Sequence, residues 1–128
     1  DGSTYVAYCW AEKQGYSTFG GYTGNGNADG AFIYTGFKPA WIMIKQSDGA
    51  NGWNIYDNKR NTFNVMDKFL LANSNQAEAS YSVIDFLSNG IKLRNTASSF
   101  NTSGASYIYM AFAENPFVTS TSIPTTAR

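Results

Sequence analysis

The chain has 128 residues, with nine basic and nine acidic side chains, no histidine and one cysteine. That length makes one domain with a core of its own, and a neutral chain without runs of like charge offers no basic face to nucleic acid or an anionic membrane. Aromatic residues (16%) outnumber charged ones (14%), which favours strands over surface helices. No apolar stretch approaches the ~20 residues of a membrane span, so neither nucleic-acid binding nor membrane insertion is expected.

In chain order, Tyr5 to Trp10 is a β-rich apolar run that reads as a strand, with Cys9 a small hydrophobe inside it. Residues 15–30 read as loop, because glycines at 15, 20, 21, 24, 26 and 30 break any regular element. Phe32–Tyr34 and Trp41–Lys45 are strands on either side of Gly36-Phe37-Lys38-Pro39, and Asp48 to Gly52 connects the second to a strand over Trp53–Tyr56. Phe63 to Leu71 is either a strand or a short helical turn. Tyr81–Phe86 and Ile91–Arg94 form the clearest hairpin, with Asn89-Gly90 at the turn and Gly90 expected at positive φ. Within Ile91-Lys92-Leu93-Arg94 the apolar residues face in and the cations out. A last strand runs from Tyr107 to Phe112. Short strands with turn signals between them and no convincing helix predict a β-sandwich or barrel. Val118 to Arg128 is rich in threonine and serine and is expected to order only against a neighbouring subunit.

Two segments nearly repeat. Gly2-Ser3-Thr4-Tyr5-Val6-Ala7-Tyr8-Cys9-Trp10-Ala11-Glu12 returns as Gly104-Ala105-Ser106-Tyr107-Ile108-Tyr109-Met110-Ala111-Phe112-Ala113-Glu114. Each copy reads as the last strand of one module of a tandem array, with the handover at Glu12. The alternative is that two aromatic strands look alike by chance or by a shared packing environment. The shared sequence suggests similar packing environments, so the two strands are expected to be close neighbours in one sheet.

The inventory of reactive groups excludes much chemistry. Without histidine there is no Ser-His-Asp or Cys-His machinery, and one cysteine makes no thiolate cluster. A glycosidase needs two carboxylates roughly 5–9 Å apart across a sugar cleft, and no two acids alternate along a strand; Glu12 and Glu114 follow strand ends and read as turn caps. No catalytic residue is expected. Asn25, Asn27 and Asp29, followed by Gly30, copy the alternating oxygens of a calcium loop, but the twelfth position that should hold a bidentate glutamate is Gly36. A turn closed by the side chains' own backbone bonds is the favoured reading, a weak calcium site the other; no further cofactor is expected. Sugar recognition needs an aromatic face beside amides and carboxylates. Trp53, Tyr56, Asp57 and Asn58 supply those groups, although alternation sends Trp53 and Ile55 to one face and Asn54 and Tyr56 to the other. Tyr16, Phe19 and Tyr22 are the candidate exposed aromatics of the glycine-rich loop, and Ala72 to Glu78 is a further polar loop.

The order Tyr5–Glu12, Tyr22-Thr23-Gly24-Asn25-Gly26, Asp29-Gly30, Phe32–Lys45, Asp85–Arg94 and Tyr107–Phe117 resembles a domain of phage virion structural proteins, chiefly tail-fibre-like proteins of phages infecting aquatic bacteria. The resemblance covers residues 2–117. It implies an all-β, antiparallel jelly-roll or concanavalin-like β-sandwich over residues 1–117, with 1–12 the handover strand of a preceding repeat and 118–128 a tail. It also implies a non-catalytic place on the virion surface, outside cells. Expected partners are further copies of the chain, as a trimer, other virion proteins and a bacterial surface glycan. A purely architectural module without glycan binding is the alternative.

Overall fold

The computed structural model describes residues 2–118 and 124–125. Its strands are β1 (Ser17–Thr23), β2 (Phe32–Tyr34), β3 (Pro39–Gln46), β4 (Asn54–Asp57), β5 (Met66–Leu71), β6 (Ala79–Leu87), β7 (Gly90–Leu93) and β8 (Ser106–Ala113). A single-turn helix, α1 (Ser98–Asn101), leads into β8, and a two-residue pair, β9 (Phe117–Val118) with β10 (Pro124–Thr125), follows it. The eight long strands are all antiparallel and hydrogen-bond in the order β1-β8-β3-β4-β5-β6-β7-β2. The sheet curls into a nearly closed barrel, and Tyr109 of β8 donates its phenol to the Tyr34 carbonyl of β2 across the opening (3.4 Å).

Period-two alternation builds the interior. In β3, Ile42 and Ile44 are fully buried while Trp41 and Met43 point to the other face. Ile84 and Ile91 meet them from β6 and β7, with Tyr56 and Tyr107 filling the middle. Each such side chain contributes roughly 1.5–3 kcal/mol by leaving water. The Tyr56 ring lies 5.7 Å from Phe100 of α1, and Tyr107 donates to the Ser98 carbonyl while accepting from the Thr102 amide. Asn101 is fully buried beside this core. Asn101 Nδ2 reaches Asn25 Oδ1, the Asn27 carbonyl and the Asn95 carbonyl, and its Oδ1 accepts from the Asn25 amide.

Several expectations need correction. Residues 2–12 form no strand, so Tyr5–Trp10 is not paired with β8, and Cys9 is exposed instead of packed. The position beside β1 is taken by β8 itself. The glycine-rich stretch from 15 to 30 is not all loop: Ser17–Thr23 is β1, because Gly20 makes room for the Tyr109 ring, whose hydroxyl would lie 2.9 Å from an added Cβ. The ambiguous Phe63–Leu71 segment supplies strand β5. The β6–β7 hairpin is present, but its turn is Ser88-Asn89 and Gly90 opens β7 without positive φ. Most of the Val118–Arg128 tail, and the expectation about its order, lies outside the described residues.

Candidate functional site

The registers of five neighbouring strands align one row of apolar side chains on the outer face of the sheet. Phe19 of β1 faces Met110 of β8, which faces Met43 of β3; Met43 faces Ile55 of β4, and Ile55 faces Leu70 of β5. Every residue of the row is partly accessible. On one side of it Phe112 lies at the centre of an aromatic group, with Trp41 at 5.6 Å and Tyr16 and Phe19 edge-on at 6.0 and 6.2 Å. On the other side Trp53 and Ile108 stand exposed, and with Phe19, Met43 and Met110 they line a shallow groove of about 340 Å³. Lys45 is the outward cation of β3, and its ammonium turns away to the backbone carbonyls of Gln46 and Gly49. The row itself is therefore apolar, and beside Trp41 the same face carries the Asp57–Arg60 ion pair.

The candidate glycan residues are divided between the two faces. Tyr56 is fully buried and donates to the Tyr81 carbonyl, and burial, then the charge of Asp67, pushes its phenol above the ordinary range. Tyr22 stacks on Tyr107 at 4.9 Å and donates to the Phe100 carbonyl, so it is a core residue whose phenol burial also pushes up. Trp53, Phe19 and Tyr16 lie on the outer face. Asp57 accepts from the amides of Lys59 and Arg60 and pairs with the Arg60 guanidinium at 2.7 Å. The structure thus does not gather Tyr16, Phe19, Tyr22, Trp53, Tyr56, Asp57 and Asn58 into one site, because alternation along β4 and β1 puts their side chains in different environments. The face separation of Trp53 and Ile55 from Asn54 and Tyr56 is as expected.

Asn25, Asn27 and Asp29 form a ladder of turns. Asn25 Oδ1 accepts from the Asn27 amide (3.0 Å), Asn27 Oδ1 accepts from the Asp29 amide (2.9 Å), and Asp29 pairs with Lys92 (2.7 Å). That ion pair and hydrogen bond hold the Asp29 carboxyl below its usual range. Each of the three side chains already has a partner within the fold. Among the described residues no three His, Cys, Asp or Glu side chains come together. Glu12 follows no strand and accepts from the Thr18 hydroxyl, and Glu114, just past β8, pairs with Lys38 and accepts from Asn58 Nδ2.

Asn58 also marks a second surface. Its Oδ1 is buried without a hydrogen-bond partner, at a polar cleft of about 360 Å³ edged by Lys38, Lys59, Glu114 and the exposed ring of Phe63. Phe63 and Lys38 were not legible as neighbours of Asn58, since β3 and the 59–65 loop meet only through the sheet.

A family model described as a domain of unknown function, DUF7483, matches residues 1–116. The chain belongs to that family. The DUF7483 match spans the whole eight-stranded sheet, and with it every residue of the outer row and of the Asn58 cleft. No curated protein and no solved structure matches the chain.

Proposed function

We propose that this domain is a non-catalytic structural module of a phage virion, on the particle surface, which assembles with copies of itself through the outer face of β1, β8, β3, β4 and β5. The observation that carries this reading is the unbroken row Phe19–Met110–Met43–Ile55–Leu70 with its aromatic flank. An exposed apolar surface of this extent marks an interaction site on a monomer. Its chemistry suits a second copy: the chain has zero net charge, so identical faces meet without repulsion. In this reading the half-sheet β1-β8-β3-β4 faces β5-β6-β7-β2 as the two layers of a jelly-roll, concanavalin-like sandwich, and three chains join about one axis. Light scattering on the purified chain should report a trimer. Met43→Lys, at the middle of the row, should yield monomers with an unchanged far-UV spectrum. A wild-type monomer at every concentration would refute the reading.

The unpartnered Asn58 Oδ1 favours a second reading, adhesion to a bacterial surface glycan. A sugar hydroxyl would donate to Asn58 and pack its C–H face on Phe63. Glycan-array binding lost in both Asn58→Ala and Phe63→Ala, with folding intact, would support it; binding retained in both would exclude this cleft.

A further inference from the structure

Residues 2–12 and β8 share more than composition. Gly2, Tyr5, Ala11 and Glu12 are identical to Gly104, Tyr107, Ala113 and Glu114. The two glycines also share a backbone conformation, φ 72° and φ 77°. Although the first copy forms no strand, its Tyr8 and Trp10 rings stack at 6.2 Å, as i and i+2 side chains of an extended chain do. Val6, Tyr8 and Trp10 are 78, 77 and 55% exposed, an apolar face left in water.

We infer that residues 4–11 are a spare β8, shaped to occupy the place between β1 and β3 in a second copy of this module. The register of the native ladders tests the fit residue by residue. β8 sets Ala111 against Thr18 and Ile42, Met110 between Phe19 and Met43, and Phe112 against Trp41. In the same place Cys9 would stand at Ala111, Tyr8 at Met110 and Trp10 at Phe112, so the outer row and its aromatic flank would be kept. Inward, Tyr5 repeats Tyr107, whose phenol ties the Ser98 carbonyl to the Thr102 amide. Ala7 is smaller than Tyr109, and only Cys9 adds an atom at a fully buried position. Within one chain the tethered β8 holds this place by its high effective concentration. The spare strand is therefore left for a copy whose own β8 has been displaced, which it would join by main-chain hydrogen bonds, a strand-addition mode of recognition.

The test writes the first copy into the second. A full chain carrying A105S, S106T, I108V, Y109A, M110Y, A111C and F112W should unfold cooperatively. Its new thiol should label at least about a hundred-fold more slowly than exposed Cys9, because reaching it requires the sheet to open. A companion chain that retains Tyr109 removes the single large void as a cause of failure. If neither chain folds, the inference is overturned. In the second arm, a peptide of residues 2–12 is added to the full chain carrying Ala111→Asp, which places a charge in the core beneath β8. The peptide should restore or raise a cooperative melting transition, saturably, and bury its own thiol. It should leave the wild-type transition unmoved. An equal effect on wild type would place the peptide at an open sheet edge, and no effect on the Asp variant would exclude the β8 position; either overturns the inference.

Discussion

Replacing Gly90 by alanine should be among the most costly glycine substitutions in this sheet, and the reason is space. Gly90 opens β7 opposite Tyr34 of β2, where an added Cβ would lie 2.2 Å from the Ile33 carbonyl oxygen and 2.9 Å from the Phe32 ring. The ring can rotate; the carbonyl belongs to backbone and cannot. The clash is relieved only by moving β2, a three-residue edge strand whose ladder partner is β7, and its buried Ile33 moves with it. Overpacking costs about 1–3 kcal/mol, and each ladder hydrogen bond lost with β2 adds about 1 kcal/mol. The expected total is about 2–4 kcal/mol, or roughly 7–15 °C in Tm for a domain of this length. Gly36→Ala is the control. There φ is +80° but the nearest atom to an added Cβ is 3.7 Å away, so only left-handed strain of about 1–2 kcal/mol applies. Urea and thermal unfolding of both variants decide the matter. A Gly90→Ala protein within 0.5 kcal/mol of wild type, a threshold set by ordinary surface substitutions, or one more stable than Gly36→Ala, would refute the steric account.

Three further outcomes are expected. Asn101→Ala leaves the Asn25 amide and the Asn27 and Asn95 carbonyls without their shared partner, so stability should fall by about 2–4 kcal/mol, and amide exchange in residues 24–30 should accelerate before that of β3. Tyrosine ionises near pH 10 in an unfolded chain, but burial, with Tyr107 beside Tyr22 and Asp67 beside Tyr56, keeps both phenols protonated above that value. Their contribution is complete below pH 10 and is lost as pH rises further, so tyrosinate absorbance should show these two ionising only with unfolding; smooth titration of all nine in the folded protein would contradict it. Asp48 is held below the usual carboxylate range, first by the Ser106 amide and then by Gln46. Its contribution is present above about pH 3.9 and fades as pH falls, and Asp48→Asn should flatten the acid side of the stability curve.

Alternation made most of the sheet legible. Ile91-Lys92-Leu93-Arg94 shows its inner and outer sides directly, and Trp41-Ile42-Met43-Ile44 could only be a strand. Where the reading failed, the deciding contact was distant in sequence. Gly20 and Gly21 look like loop until β8, from the far end of the chain, needs the space above them: the Tyr109 ring over Gly20 and the Tyr107 carbonyl over Gly21. Asn89-Gly90 has the composition of a turn with positive φ, yet the approach of β2, set by the Tyr34–Gly90 pairing, is what excludes a side chain at 90. Tyr5–Trp10 has the composition of a strand but forms none. The place beside β1 is taken by β8, from the far end of the chain, and local propensity carries no information about such long-range pairing.

The candidate surface was hidden for a related reason. Period two tells which residues share a face, but it does not tell which face is covered. In β3 both faces are apolar, Ile42 and Ile44 on one and Trp41 and Met43 on the other, and such a run reads as a strand buried on both sides. Within the described residues one side is covered by the barrel's own core and the other is open along the row from Phe19 to Leu70. Apolar side chains on five adjoining strands of the outer face carry the proposal that this face is buried against a copy of the same strands. Double substitution of Met43 and Met110 by lysine separates this from a fold-stabilising role. If the row serves assembly, the variant loses the oligomer while its monomer unfolds within about 1 kcal/mol of wild type, the range of partly exposed substitutions. If the row is instead part of the domain's own core, stability and assembly fall together.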